Sequence, residues 1–139
     1  METRKSSSAR AGGFTLIELM VVVAIVAILL IVALPSFQKQ IQRGNRSAAQ
    51  AEMYDIANRQ QQYLLANRTY MDLSTLNNSS FSLDSDVDGN YTLTMVAAAG
   101  PPPTFIITMT PKAGSSQDGD ATLTLNEQGR GEPAGSWDR

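Results

Sequence analysis

Apolar and polar positions divide the chain into four stretches. From Phe14 to Leu34 the only charge in 21 residues is Glu18. A helix over that run spans about 32 Å, close to the hydrocarbon thickness of a bilayer. After Pro35 the pattern becomes amphipathic. Phe37, Ile41, Ala48, Ala49, Met53, Ile56, Ala57, Tyr63 and Leu64 recur mostly at three- and four-residue steps, and Lys39, Arg43, Arg46, Glu52, Asp55 and Arg59 fill the other sides. The two stretches predict one helix over about 14–65, ended by Asn67-Arg68. Pro35 removes a backbone hydrogen bond and predicts a kink. Gly44-Asn45 is a weak point, where bending or local melting is expected.

The third stretch, 67–90, is polar and reads as a connecting loop. Tyr70, Leu73, Leu76, Phe81 and Leu83 are its anchors, and a short helical turn fits 72–76. In the fourth, alternation predicts strands over 91–97, 104–110 and 121–126. Their short connections favour an antiparallel meander. One face of that sheet is expected to bury Leu93, Met95, Ile106 and Leu123, or their neighbours, against the amphipathic half of the helix. The end, 130–139, reads as an irregular tail anchored by Trp137.

Composition narrows the chemistry. The chain has no Cys and no His, which removes thiolate chemistry, the commonest general base and the commonest metal ligand. No Gly-rich phosphate loop or convergent carboxylate pair stands in for them, and Ser115-Ser116 has no base nearby. The reading is a structural protein with no catalytic residue and no cofactor. The net charge of −2 is unevenly placed. Arg4, Lys5 and Arg10 against Glu2 make 1–13 basic, and the remainder is acidic. A basic head before an apolar run stays in the cytoplasm while the chain beyond is exported.

Glu18 is the anomaly in the apolar run. A carboxylate in a dry environment costs several kcal/mol without a partner, and no cation lies within a turn of it in sequence. Its partner is expected from another chain. The small pair Gly12-Gly13 lies before the apolar run, where cleavage would leave the helix attached to the mature protein.

Basic leader, Gly13, then Phe14-Thr15-Leu16-Ile17-Glu18-Leu19-Met20 resembles the class III signal of type IV pilins and type II secretion pseudopilins. The resemblance implies cleavage by a prepilin peptidase between Gly13 and Phe14, N-methylation of Phe14, and pairing of Glu18 with the Phe14 amine of a neighbouring subunit. Tyr63, Asn67-Arg68-Thr69-Tyr70, Thr122-Leu123-Thr124-Leu125-Asn126 through Gly129, and Gly135-Ser136-Trp137 are similar to PilE-type minor pilins. Such proteins usually carry two cysteines, here replaced around Asp120 and Ser136. The tail must then be held by Trp137 packing and hydrogen bonds.

The implied fold is α+β, the type IV pilin fold. A long N-terminal helix, apolar and then amphipathic, packs on a three- to four-stranded antiparallel sheet. The expected divisions are a leader over 1–13, a transmembrane and filament-core helix over 14–35, and a periplasmic or surface domain over 36–139. The implied function is a structural pilus subunit, a minor rather than the major pilin, supporting assembly, adhesion, twitching or DNA uptake. It would sit in the inner membrane with its C-terminal domain in the periplasm, and then in the pilus. Implied partners are other pilin subunits, the prepilin peptidase, the assembly platform and its ATPase, and membrane lipid before assembly. The alternatives are a secretion pseudopilin and a membrane-anchored binding module that never polymerises.

Two constellations have bland competitors. Asp84, Asp86 and Asp88 with Gly89 open like a calcium loop, but Met95 stands where a bidentate Glu is needed. A solvated acidic turn is the favoured reading, with no metal. Lys39, Arg43 and Arg46 fit interfacial or inter-subunit roles. DNA contact is the sharper idea and is not favoured, because the body is acidic.

Overall fold

The computed structural model describes residues 13–137, so the expected leader lies almost wholly outside the described residues. Helix α1 covers Leu16–Asn67 and runs through Pro35, Gly44 and Asn45 without interruption. The chain divides into two compact units, Met1–Phe37 and Gln38–Arg139. In the first, every described residue is exposed, from Phe14 to Leu34 and on to Phe37. Its helical run is long and apolar enough to cross a membrane.

In the second unit α1 buries Ala49, Met53, Ile56 and Gln60. Their steps of four, three and four residues make one stripe on the helix. Ile41, earlier assigned to that stripe, is 40% exposed. The helix ends where Arg68 turns left-handed (φ 59°) and its N–H returns to the Leu64 carbonyl at 2.8 Å. This is the usual device for closing off the last carbonyls.

Two short helices follow. α2 is Leu73–Asn78, capped by the Asp72 carboxylate on the Thr75 N–H at 2.8 Å. Hydrogen bonds from Thr75, side chain and backbone, and then Ser74 hold the Asp72 carboxyl below its ordinary range. α3 is Ser85–Asn90, capped by Asp84 on the Asp86 N–H at 2.9 Å. The polar composition of 67–90 predicts a loop over this segment, and the structure has a helix there. Four Ser and Asp residues at its start are good caps but ordinary turn formers too, so pattern alone does not separate the outcomes.

The sheet is an antiparallel meander in the order β1-β2-β3-β4, with β1 Tyr91–Ala98, β2 Thr104–Pro111, β3 Leu123–Asn126 and β4 Gly131–Glu132. β4 is a two-residue strand in the segment expected to be irregular. The inward face carries Tyr91, Met95, Phe105, Ile107, Met109, Leu123 and Leu125, which join the α1 stripe in one core with Leu76 and Val87. Leu93 is partly buried against it. At Ile106 the neighbours take the inward places: Phe105 and Ile107 are buried, while Ile106 faces outward, opposite Val96, and is 50% exposed. Phe105-Ile106-Ile107 is an unbroken apolar run, so either phase of the strand was open. Burying Phe105 and Ile107 is the phase that puts two large side chains inside for one outside. Tyr70 meets Phe105 edge-to-face at 4.7 Å and is an anchor as expected, and Tyr63, on the amphipathic pattern of the helix, packs against the core.

Candidate functional site

Three places carry unusual side-chain arrangements. The first is the head of α1. Gly13 is extended and exposed, and Phe14 is 83% exposed. Thr15 Oγ1 accepts the Glu18 N–H at 3.2 Å, so Thr15 caps the helix and Glu18 sits three residues in. A carboxylate in the first turn also meets the positive end of the helix dipole. This cap serves the Glu18 backbone, with Thr-x-x-Glu as its sequence signature, and among the described residues the Glu18 carboxylate accepts no hydrogen bond. Among the described residues Glu18 makes no ion pair.

The second is a polar seam between α1 and the β2–β3 loop. Arg46 forms an ion pair with Asp120, with a second contact from Nε to Oδ2 at 3.1 Å. Asn45 donates to Ser116 Oγ at 2.8 Å, and Ser116 Oγ donates to Asn90 Oδ1 at 2.7 Å. Buried Gln117 donates to the Gln42 carbonyl at 2.8 Å. Tyr91 is buried beside this seam, its hydroxyl facing Asp120 without a hydrogen bond of good geometry. Burial, reinforced by the nearby Asp120 charge, pushes its phenol up to about 12.

The third is a groove of about 820 Å³ between α1 and the 3₁₀ turn Ala134–Ser136. Arg43, Arg46, Ser47, Gln50, Tyr54 and Trp137 line it. Gln50 donates to the Ser136 carbonyl at 2.6 Å, and Tyr54 meets Trp137 edge-to-face at 5.5 Å. Trp137 Nε1 donates to the Glu132 carbonyl at 3.2 Å. The ring lies so close over Gly131 that a Cβ there would fall 2.2 Å from it. The two positions where the resemblance places cysteines, Asp120 and Ser136, are thus each tied to α1, through Arg46 and Gln50 one helical turn apart.

The acidic candidates do not gather. Asp84 caps α3, and Asp86 and Asp88 lie two residues apart on a helix, about 200° around its axis. The Lys112 ammonium reaches the Asp88 carbonyl and lies 3.7 Å from its carboxylate. Among the described residues no three acids surround a common point that could hold a metal.

The sequence matches a known family of proteins. A family model described as "Type IV minor pilin ComP, DNA uptake sequence receptor" matches residues 35–124. The chain belongs to this family. A second model, the prokaryotic N-terminal methylation motif, matches residues 8–34. The minor pilin is 40% identical over 60 residues to the type IV wide pilus major component PilA4 of Thermus thermophilus, covering 43% of this chain and 46% of the relative. It is 32% identical over 87 residues to the fimbrial protein EcpC of Eikenella corrodens, covering 63% and 54%. It spans about half the length of these curated relatives. In fold it is similar to a solved type IV pilin from Shewanella oneidensis, with a TM-score of 0.53 over 70% of this chain and 99% of that one, at 22% identity. The α+β pilin fold expected from sequence is therefore the fold observed.

Proposed function

We propose that the chain is a minor pilin that is cut between Gly13 and Phe14, methylated at Phe14, and inserted into a pilus through the apolar half of α1. The observation that carries this reading is an exposed apolar helix whose first turn holds one carboxylate, immediately after the Gly13-Phe14 junction. Cleavage creates an ammonium at Phe14, and methylation leaves it charged. In a dry bundle of such helices, Glu18 of one subunit and the Phe14 amine of its neighbour neutralise each other. A subunit one step out of register would bury both alone, at several kcal/mol. Glu18 is in this view a register device.

Before assembly the subunit waits in the inner membrane with residues 36–139 in the periplasm. The prepilin peptidase and an assembly platform with its ATPase act on it there. Sheared surface filaments analysed by mass spectrometry should contain its peptides, and its intact mass should begin at methylated Phe14. Glu18→Ala should insert and be processed normally but enter filaments poorly. Normal incorporation of that variant would refute the register role.

A second reading has its own support. The family description names a DNA uptake sequence receptor. That favours DNA contact by the displayed domain, which the acidic composition had weighed against. A mobility shift of duplex DNA by the full chain in micelles, set against the family's uptake role, tests it. No shift at low salt would remove it.

A further inference from the structure

We infer that the groove beside Trp137 receives the acidic helix α3 of a second copy of this chain. The inference rests on the proposed filament reading and names a contact within it.

The two surfaces are complementary in charge. Arg43 and Arg46 line the groove, and among the described residues no carboxylate does. Arg46 is taken by Asp120, whereas Arg43 is exposed and makes no ion pair among the described residues. In a chain of net charge −2 this leaves one unpaired guanidinium on the groove wall. The concentrated negative feature is α3 with its cap. Asp84, Asp86 and Asp88 are all exposed within five residues, and Lys112, beside Asp88, is the one cation paired with them among the described residues. Among the described residues, Arg43 on one surface and Asp84 and Asp86 on the other make no ion pair.

The surfaces also lie on opposite flanks of α1. The end of α3 is tied to the helix through Asn90, Ser116 and Asn45. Arg43 and Ser47, which line the groove, are each two residues from Asn45, hence about 200° around the helix. One copy therefore cannot satisfy the contact internally. A contact between unlike surfaces on opposite sides is heterologous, and repeated it makes a ring or an open helical array rather than a two-fold pair, the second being the form the filament reading requires. The groove is preformed for an occupant. Trp137 is fixed by Gly131 and the Glu132 carbonyl, Tyr54 braces its ring, and Gln50 holds the turn that forms the far wall.

The lack of native cysteine makes a clean test. Ser47 lies in the groove and Ser85 opens α3, and both are exposed. Full-length Ser47→Cys and Ser85→Cys chains, mixed in detergent micelles and oxidised, should give mainly the mixed disulfide dimer. Asp86→Arg should lower its yield at least five-fold, and adding Arg43→Asp to the partner chain should restore most of it. Random pairing among the two cysteines, or no effect of charge reversal, would overturn the inference. Quenching of Trp137 by a DNA oligonucleotide without any mixed dimer would overturn it too, assigning the groove to nucleic acid. The same cysteine pair in cells separates the two levels. Peptides present in sheared filaments with no mixed dimer would defeat this contact alone. Absence of the peptides from filaments would defeat the filament reading beneath it.

Discussion

Arg46 and Asp120 join α1 to the β2–β3 loop across 74 residues of chain, through two N–H···O contacts from one guanidinium. The pair is unequal in exposure: the Asp120 side chain is 9% exposed and that of Arg46 27%. Removing the cation strands a carboxylate away from water, while removing the carboxylate leaves a cation that can turn outward. Arg46→Ala should therefore cost about 2–3 kcal/mol and Asp120→Ala about 1 kcal/mol. Urea titrations of both variants check the order, and equal costs would contradict it.

Gln60 acts as a piece of backbone inside the core. Its Nε2 donates to the Met71 carbonyl at 2.8 Å, and its Oε1 accepts the Met71 N–H at 2.9 Å. Gln60→Leu keeps the volume but orphans both groups, and should destabilise by about 2–4 kcal/mol. Hydrogen exchange at the Met71 amide should accelerate in the same variant. Unchanged protection there would mean that another group holds this segment.

Gly131 has no room for a side chain. A methyl group at this position meets the Trp137 ring at 2.2 Å, whereas one at Gly135 meets nothing within 4 Å. Gly131→Ala should expel the ring and shift its fluorescence to the red, and Gly135→Ala should not. Trp137 is the sole tryptophan, so the emission reports on this site alone.

Tyr91 predicts an alkaline limit. Its phenol is pushed up to about 12 from an ordinary 10.0, first by burial and then by the Asp120 charge. The folded state holds that proton more tightly than the unfolded state does. This stabilisation is complete below pH 10 and is lost as pH rises from 10 towards 12. Thermal melts over that range should fall more steeply for the native chain than for Tyr91→Phe.

Much of the fold was legible because its signals are long or doubled. Helix α1 was readable from a 21-residue apolar run and then a stripe through Ala49, Met53 and Ile56. The strands were readable from alternation bounded by Pro and Gly. The motif at Gly13, Phe14 and Glu18 needed no structure at all. What escaped was decided by contacts distant in sequence. Gln60 is polar on an apolar stripe, and nothing local marks Met71 as its partner. Ile106 and Ile107 compete for the same face, and only the register against Val96 and Asn126 settles which is inside. Helix α3 and strand β4 are too short for a period to show. The groove joins α1 to a tail about ninety residues later, so neither half reads as a site alone.

The ties from Arg46 to Asp120 and from Gln50 to Ser136 fasten loop and tail without a covalent bond. Nothing in this domain waits on an oxidant, so its maturation is independent of the redox poise of the compartment that makes it. It can refold after stress with no isomerase to correct a wrong pairing. What it gives up is the lock: high salt loosens the ion pair, and strong denaturant can release the tail before the core opens.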